Sequence, residues 1–221
     1  ENLMVKTGAA RGYFNSHCDV KGQGSTDTRS CYDPFGLQQF AMALVLANAR
    51  WGSGDETMDA GAMDYNADAW MLFDVMRNKQ KENGGIVDRI TDTFDTDTLL
   101  VFDEPDQYAY NYTSLPALLP AYYDMWAQAT GDSYWTETAI NARSFWQSVA
   151  NADTGLLPEK AFFSGKGYHD WNMFGPEGYR TQLNMTLDKI WTGADAWEEV
   201  EADLLLEFFG GILDSGANTY G

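Results

Sequence analysis

The 221 residues carry 33 Asp and Glu against 14 Lys and Arg, a formal charge of −19. A field of that sign repels phosphate and argues against nucleic acid or an anionic membrane surface as partner, so a neutral or cationic ligand fits better. Hydrophobic residues make up 44% and aromatic ones 14%, enough for one sizeable core or for surfaces that stack on flat ligand faces.

The chain opens at Glu1 with neither an initiator Met nor a signal-like apolar stretch, and it reads as processed, trimmed or incomplete. No apolar run approaches the roughly 18 residues of a membrane span. The two cysteines, Cys18 and Cys31, sit in "NSHCDVKGQGSTDTRSCYDP". A disulfide closing that loop is the expectation and would imply secretion; two free thiols, or a metal site with His17, are the alternatives.

Helical periodicity then recurs. In "PFGLQQFAMALVLANARWG" Leu37, Phe40, Ala41, Leu44 and Trp51 mark one face, with Asp33 and Pro34 as N-cap and first-turn pair. "NADAWMLFDVMRNKQKEN" repeats the pattern through Ala69, Leu72, Phe73 and Met76 and ends in a basic turn before Gly84 and Gly85. "GGIVDRI" and "TLLVF" are apolar and β-branched between turn signals, predicting a short β-hairpin.

Next, "PAYYDMWAQATGD" and "SYWTETAINARSFWQSVANADTG" predict a helical hairpin turning at Gly131 and Asp132. Its second helix faces inward through Trp135, Ala139, Ala142, Phe145, Trp146 and Val149. "YRTQLNMTLDKIW" and "ADAWEEVEADLLLEFFGGIL" predict another pair, Leu183, Leu187, Ile190 and Trp191 facing Trp197, Val200, Leu204 and Phe208. The expected architecture is a single all-α domain, residues 1–221, of antiparallel helix pairs. The long connections 11 to 33, 84 to 115 and 152 to 178 are candidates for a binding face.

Several stretches resemble family 8 glycoside hydrolases. "DPFGLQQFAMALVLANARWG" is similar to the family segment in which Pro-Asp-Gly-Glu-Glu-Tyr-Phe opens a helix closing on Ala-x-Arg-Trp-Gly. "LPAYYDMWAQATGDSYW" is similar to its Pro-Ala-Phe-Tyr helix and the Trp-bearing helix that follows. "GPEGYRTQLNMTLDKIWTGADAW" is similar to its Phe-Asp-Ala-Trp-Arg stretch with the Asn, Asp and Ala-x-x-Trp beyond it. The resemblance covers nearly the whole chain. It implies an (α/α)6 barrel and hydrolysis of β-1,4 glycans such as cellulose or xylan by inversion. There one carboxylic acid protonates the leaving oxygen, and a carboxylate about 6.5–9.5 Å away activates water.

Three departures accompany it. The family's general acid lies in a Glu-Gly-x-Ser-(Tyr/Trp)-Gly-Met segment that falls upstream of Glu1 and is not reproduced in the chain. The family would also supply several more helices after "GGILDSGANTYG", so the expectation is the central portion of a family 8 domain, a fragment or a short form completed by self-assembly or a second chain. Finally, the sugar-holding aspartate of Pro-Asp-Gly falls on Phe35, whose ring cannot replace a carboxylate.

Glu177 falls on the aspartate that is the general base in many members, one methylene longer. Its other readings are a helix N-terminal acid favoured by the macrodipole, an acid that orders Arg180, and a sugar-binding acid. Asp33 is a helix cap or, alternatively, a displaced subsite carboxylate, and with Glu177 it makes the candidate catalytic pair. Arg180, Tyr179, Trp171, Asp170 and Tyr112 are the candidate glycan-binding residues; the alternatives are a structural salt bridge with Glu177 for Arg180, packing for the aromatic rings and solvation for Asp170. Asp92, Asp95, Asp97, Asp103 and Asp106 form an acidic stretch in which calcium is an alternative to solvation, but its spacing matches no EF-hand loop. No metal and no cofactor is expected. A non-catalytic glycan-binding or assembly protein on the same fold is the second reading.

Overall fold

The computed structural model describes residues 4–15, 32–54, 62–109, 111–193 and 196–214. Cys18 and Cys31, with the expected disulfide, lie outside the described residues. Among the described residues six α-helices succeed one another: α1 (Pro34–Trp51), α2 (Tyr65–Asn83), α3 (Pro120–Thr130), α4 (Ser133–Val149), α5 (Gly178–Thr192) and α6 (Ala196–Asp214). They pack as α1 on α2, α3 on α4 and α5 on α6, and α1, α3 and α5 also touch in that order. The all-α class and the helix pairing are therefore as expected.

Local chemistry sets the ends. The Asp33 side chain accepts from Phe35 N at 2.9 Å and Pro34 fills the first turn of α1. Asp64 caps α2 through Ala67 N, and α2 ends on Gly84 in the left-handed region. Between α3 and α4 the chain reverses at Gly131, whose φ of 70° is open to glycine at little cost, and Asp132 caps α4 at once.

The core is aromatic at its centre. Trp126 of α3 meets Trp135 of α4 edge-on at 4.8 Å between ring centroids, and Phe73 of α2 reaches both. Tyr123 and Phe94 close the cluster, each such pair contributing about 0.5–1.5 kcal/mol beyond its area. On α4, Trp135, Ala139, Ala142, Phe145 and Trp146 are buried as expected.

Two expectations need correction. "GGIVDRI" and "TLLVF" form only isolated bridges, Val87 with Ile90, Ile90 with Asp106 and Phe94 with Val101. Positive φ at Asp88 and Arg89 makes a tight turn that closes on the single Val87–Ile90 bridge, and no bridge joins the two segments to each other. The β-sheet instead pairs β1 (Tyr112–Ser114) antiparallel with β2 (Lys160–Phe162), with Thr113 opposite Ala161, a pairing across the sequence that local patterning does not signal.

The inward face of α5 also differs. Leu183 and Ile190 are exposed, and so is Val200 on α6, while Thr181, Met185 and Asp188 are buried. A charge network sets this rotation. Arg143 of α4 donates from Nε and Nη2 to the two oxygens of Asp188, at 2.6 Å each, and from Nη2 to Asp124 of α3 at 2.5 Å. Burial would lower the Arg143 pKa, but the two carboxylates more than reverse that and raise it. On α1, Phe40 and Trp51 are likewise exposed, while Leu37 and Ala41 point inward.

Candidate active site

The N-terminal ends of α1 and α5 meet the short 3-10 helix Leu115–Ala117, which leads into α3, around a cavity of about 180 Å³. Asp33, Phe35, Asp103, Glu177 and Arg180 line it, with Ser114, Pro116 and Ala117 as the floor. Asn184 of α5 fixes that floor by donating to Pro116 O at 2.8 Å.

Glu177 is the N-cap residue of α5, yet its side chain makes no capping bond. It pairs instead with Arg180 one turn on, Oε2 to Nη1 at 2.7 Å, with both side chains nearly half exposed. A pair so open to water is worth about 0–1 kcal/mol. Tyr179 accepts a long bond from Arg180 Nε at 3.4 Å, and this contact, with the charges of Glu177 and Asp33, raises the Arg180 pKa. Asp33 caps α1 and also lines the cavity.

The turn before Glu177 is held from below. Glu159, which is buried, accepts the Glu177 N–H on Oε1 at 2.6 Å. Gly175 lies flat against that carboxylate, where an added Cβ would stand 2.5 Å from Oε1. Gly178 similarly leaves no room for a Cβ beside the Phe174 ring. The two glycines flanking Glu177 are therefore there for close approach.

Of the candidate glycan-binding residues, only Arg180 lines the cavity. Trp171 and Asp170 lie on a 3-10 turn, His169–Trp171, both exposed, and Tyr179 is half exposed on α5. Tyr112 stacks on Tyr168 at 3.9 Å, and burial, then the Asp103 charge, raises its phenol pKa.

Lys160 connects these rings to the cavity. Its Nζ donates to Asp103 Oδ2 at 2.8 Å and stands 5.1 Å from the centre of the Trp171 ring and 5.9 Å from that of Tyr112. Asp103, Glu159 and Lys160 were not singled out for the site from sequence. Asp103 belongs to the acidic stretch, and no local pattern singles out Glu159, just before β2, or Lys160 at its start.

Three other acids of that stretch are engaged elsewhere. Asp92 accepts from Gln80 N, Asp95 from Thr98 N, and Asp106 pairs with Arg89 at 2.7 Å. No group of three His, Cys, Asp or Glu able to hold a metal ion occurs among the described residues.

No family model matches the chain. Whole-sequence comparison finds a reducing end xylose-releasing exo-oligoxylanase of Halalkalibacterium halodurans, 27% identical over 219 residues, spanning 95% of this chain and 51% of the relative. Endoglucanase A of Acetivibrio thermocellus is 28% identical over 189 residues, 80% of this chain and 35% of the relative. The solved structure of Rex8A from Paenibacillus barcinonensis complexed with xylose superposes with a TM-score of 0.82 at 25% identity, over 94% of this chain and 53% of that one. The chain is a homologue of the family 8 glycoside hydrolases. Its helix pairs are accordingly those of the (α/α)6 barrel type. It spans about half the length of the exo-oligoxylanases it matches.

Proposed function

We propose that this chain is the part of a family 8 glycoside hydrolase that holds the water-activating carboxylate, acting on β-1,4-linked xylo-oligosaccharides or a related glycan. The observation that carries the reading is the gathering of Glu177, Arg180, Asp33 and Asp103 around one cavity at the helix N-termini. Glu177 is the base: it takes a proton from water as the oxygen attacks the anomeric carbon and the bond to the leaving oxygen breaks on the opposite face, so that configuration inverts. Arg180 steadies Glu177 and is available to a sugar hydroxyl. Asp33 and Asp103 accept hydroxyl protons, while Trp171, Tyr112 and Tyr179 offer ring faces to pyranose C–H patches, with Asp170 at the rim. A relative solved with xylose in place supports a xylose-based substrate.

The test is hydrolysis of xylo-oligosaccharides and cello-oligosaccharides by the protein carrying this chain, the anomer first released being followed by proton NMR. Inverted product is expected, and Glu177→Gln should lower turnover by about 10²–10⁴-fold with binding retained. Retained configuration, or full turnover in the variant, would end the reading.

A second reading has its own observation. Phe35 lines the cavity where the family keeps a carboxylate, which favours a glycan-binding or assembly protein without turnover. Glycan binding with no release of sugar in the unaltered protein is its signature. We further propose secretion, a Cys18–Cys31 disulfide and a single domain over residues 1–221. Thiol counting before and after reduction tests the disulfide.

A further inference from the structure

We propose that Glu159 is a positioning residue that caps the main-chain N–H of Glu177 from outside α5 and so fixes the backbone from which the Glu177 carboxylate faces the cavity. An α-helix begins with N–H groups that lack intrahelical partners, and the N-cap side chain ordinarily satisfies one. Glu177 occupies that position and its side chain does not do so; the Gly178 and Arg180 N–H groups go to Gly175 O and Glu177 O instead, each at 3.0 Å. Its own N–H, just outside α5, is taken by Glu159 Oε1 at 2.6 Å. A carboxylate buried beside a helix N-terminus is also where the macrodipole favours negative charge.

Glu159 is itself fixed at both backbone groups. Its N–H donates to Met173 O and its C=O accepts from Leu115 N, each at 2.9 Å. The first bond ties it to the turn that carries Glu177, and the second to the 3-10 helix under the cavity. Next to it, Lys160 holds Asp103 at 2.8 Å. Two adjacent residues, Glu159 just before β2 and Lys160 at its start, thus act on two of the carboxylates lining the cavity, one through a main-chain N–H and the other through an ion pair. Gly175 completes the device, because any side chain there would push the Glu159 carboxylate off the Glu177 amide.

The consequence for turnover rests on the base role proposed for Glu177, but the capping itself is testable without it. Amide hydrogen exchange at Glu177 and sugar turnover are compared in Glu159→Ala, Glu159→Gln and Gly175→Ala of the protein carrying this chain. Loss of a bond to a charged acceptor should speed Glu177 amide exchange by about tenfold or more in Glu159→Ala, with exchange of the Trp126 and Trp135 amides unchanged. Gly175→Ala should do the same with Glu159 intact, and Glu159→Gln, which keeps an acceptor oxygen, should restore protection to within about threefold. In turnover the alanine variants should lose kcat with KM little changed.

Unchanged Glu177 exchange in Glu159→Ala overturns the proposal, as does a glutamine variant no better protected than alanine. If the exchange pattern holds but the unaltered protein does not turn over glycan, the capping stands and the hydrolase reading fails.

Discussion

Arg143 is the sharpest test of what holds the site-bearing helices together. Its guanidinium, on α4, makes two bonds of 2.6 Å to Asp188 of α5 and one of 2.5 Å to Asp124 of α3. The Asp188 side chain is fully buried, while Asp124 keeps some contact with water. In Arg143→Ala the Asp124 carboxylate can hydrate, whereas Asp188 is left as an uncompensated buried charge. Breaking a buried pair in this way costs about 3–5 kcal/mol, which for a chain of this size lowers the melting temperature by roughly 6–20 °C. Arg143→Leu with Asp188→Leu removes both charges and should recover most of the loss. Chemical and thermal unfolding followed by circular dichroism give the comparison. A single variant destabilised by under about 1 kcal/mol, or a double variant no better than the single, would refute the claim that this network fixes the rotation of α5.

Two further outcomes are expected. Burial pushes the Glu201 carboxyl, on α6, up to about 7, above the unfolded value near 4.3. The folded state therefore holds the proton more tightly, and this contribution to stability is full below about pH 4.3 and is lost as pH rises through about 7. Glu201→Gln should flatten the fall in unfolding midpoint between about pH 5 and about pH 8, and an unchanged slope counts against the assignment. At Asp33, Asn is an equally good cap, so Asp33→Asn should keep stability within about 0.5 kcal/mol, while Asp33→Ala costs about 1 kcal/mol. If the cavity uses the charge, Asp33→Asn weakens glycan binding at unchanged melting temperature; equal binding returns Asp33 to a purely capping role.

What was legible in the sequence is what local chemistry controls. Asp33 before Pro34, Gly84 after α2 and Gly131 before Asp132 mark helix ends by capping and backbone freedom, and the structure uses each in that way; the Asp64 cap of α2 was not among them. Periodicity located the buried stripe of α4 because its partners are apolar. It misplaced that of α5 because Asp188 faces inward through an ion pair, which a hydrophobic pattern reads as a solvent face. The sheet between β1 and β2 joins segments nearly 50 residues apart in sequence, Tyr112 with Phe162, so no turn signal announces it. In the site, the close fit at Gly175 is to Glu159, a residue 18 positions away from the Glu177 amide it accepts, so no local pattern signals it.

The two ion pairs at the cavity differ in a way that bears on the proposed chemistry. Glu177 and Arg180 are both close to half exposed, so a sugar hydroxyl competing for either displaces a contact worth about 0–1 kcal/mol. Asp103 is 9% exposed and Lys160 24% exposed, and Lys160 also lies over the Trp171 and Tyr112 rings. Separating that pair costs more, because the carboxylate left behind is largely out of water. A ligand entering the cavity would therefore reorganise the Glu177 side first and leave Asp103 in place. On the proposed reading this suits a base that must turn toward water beside an acid that only grips the sugar. It also explains why the main chain of Glu177 is clamped by Glu159: a carboxylate that exchanges partners needs a fixed backbone from which to do it.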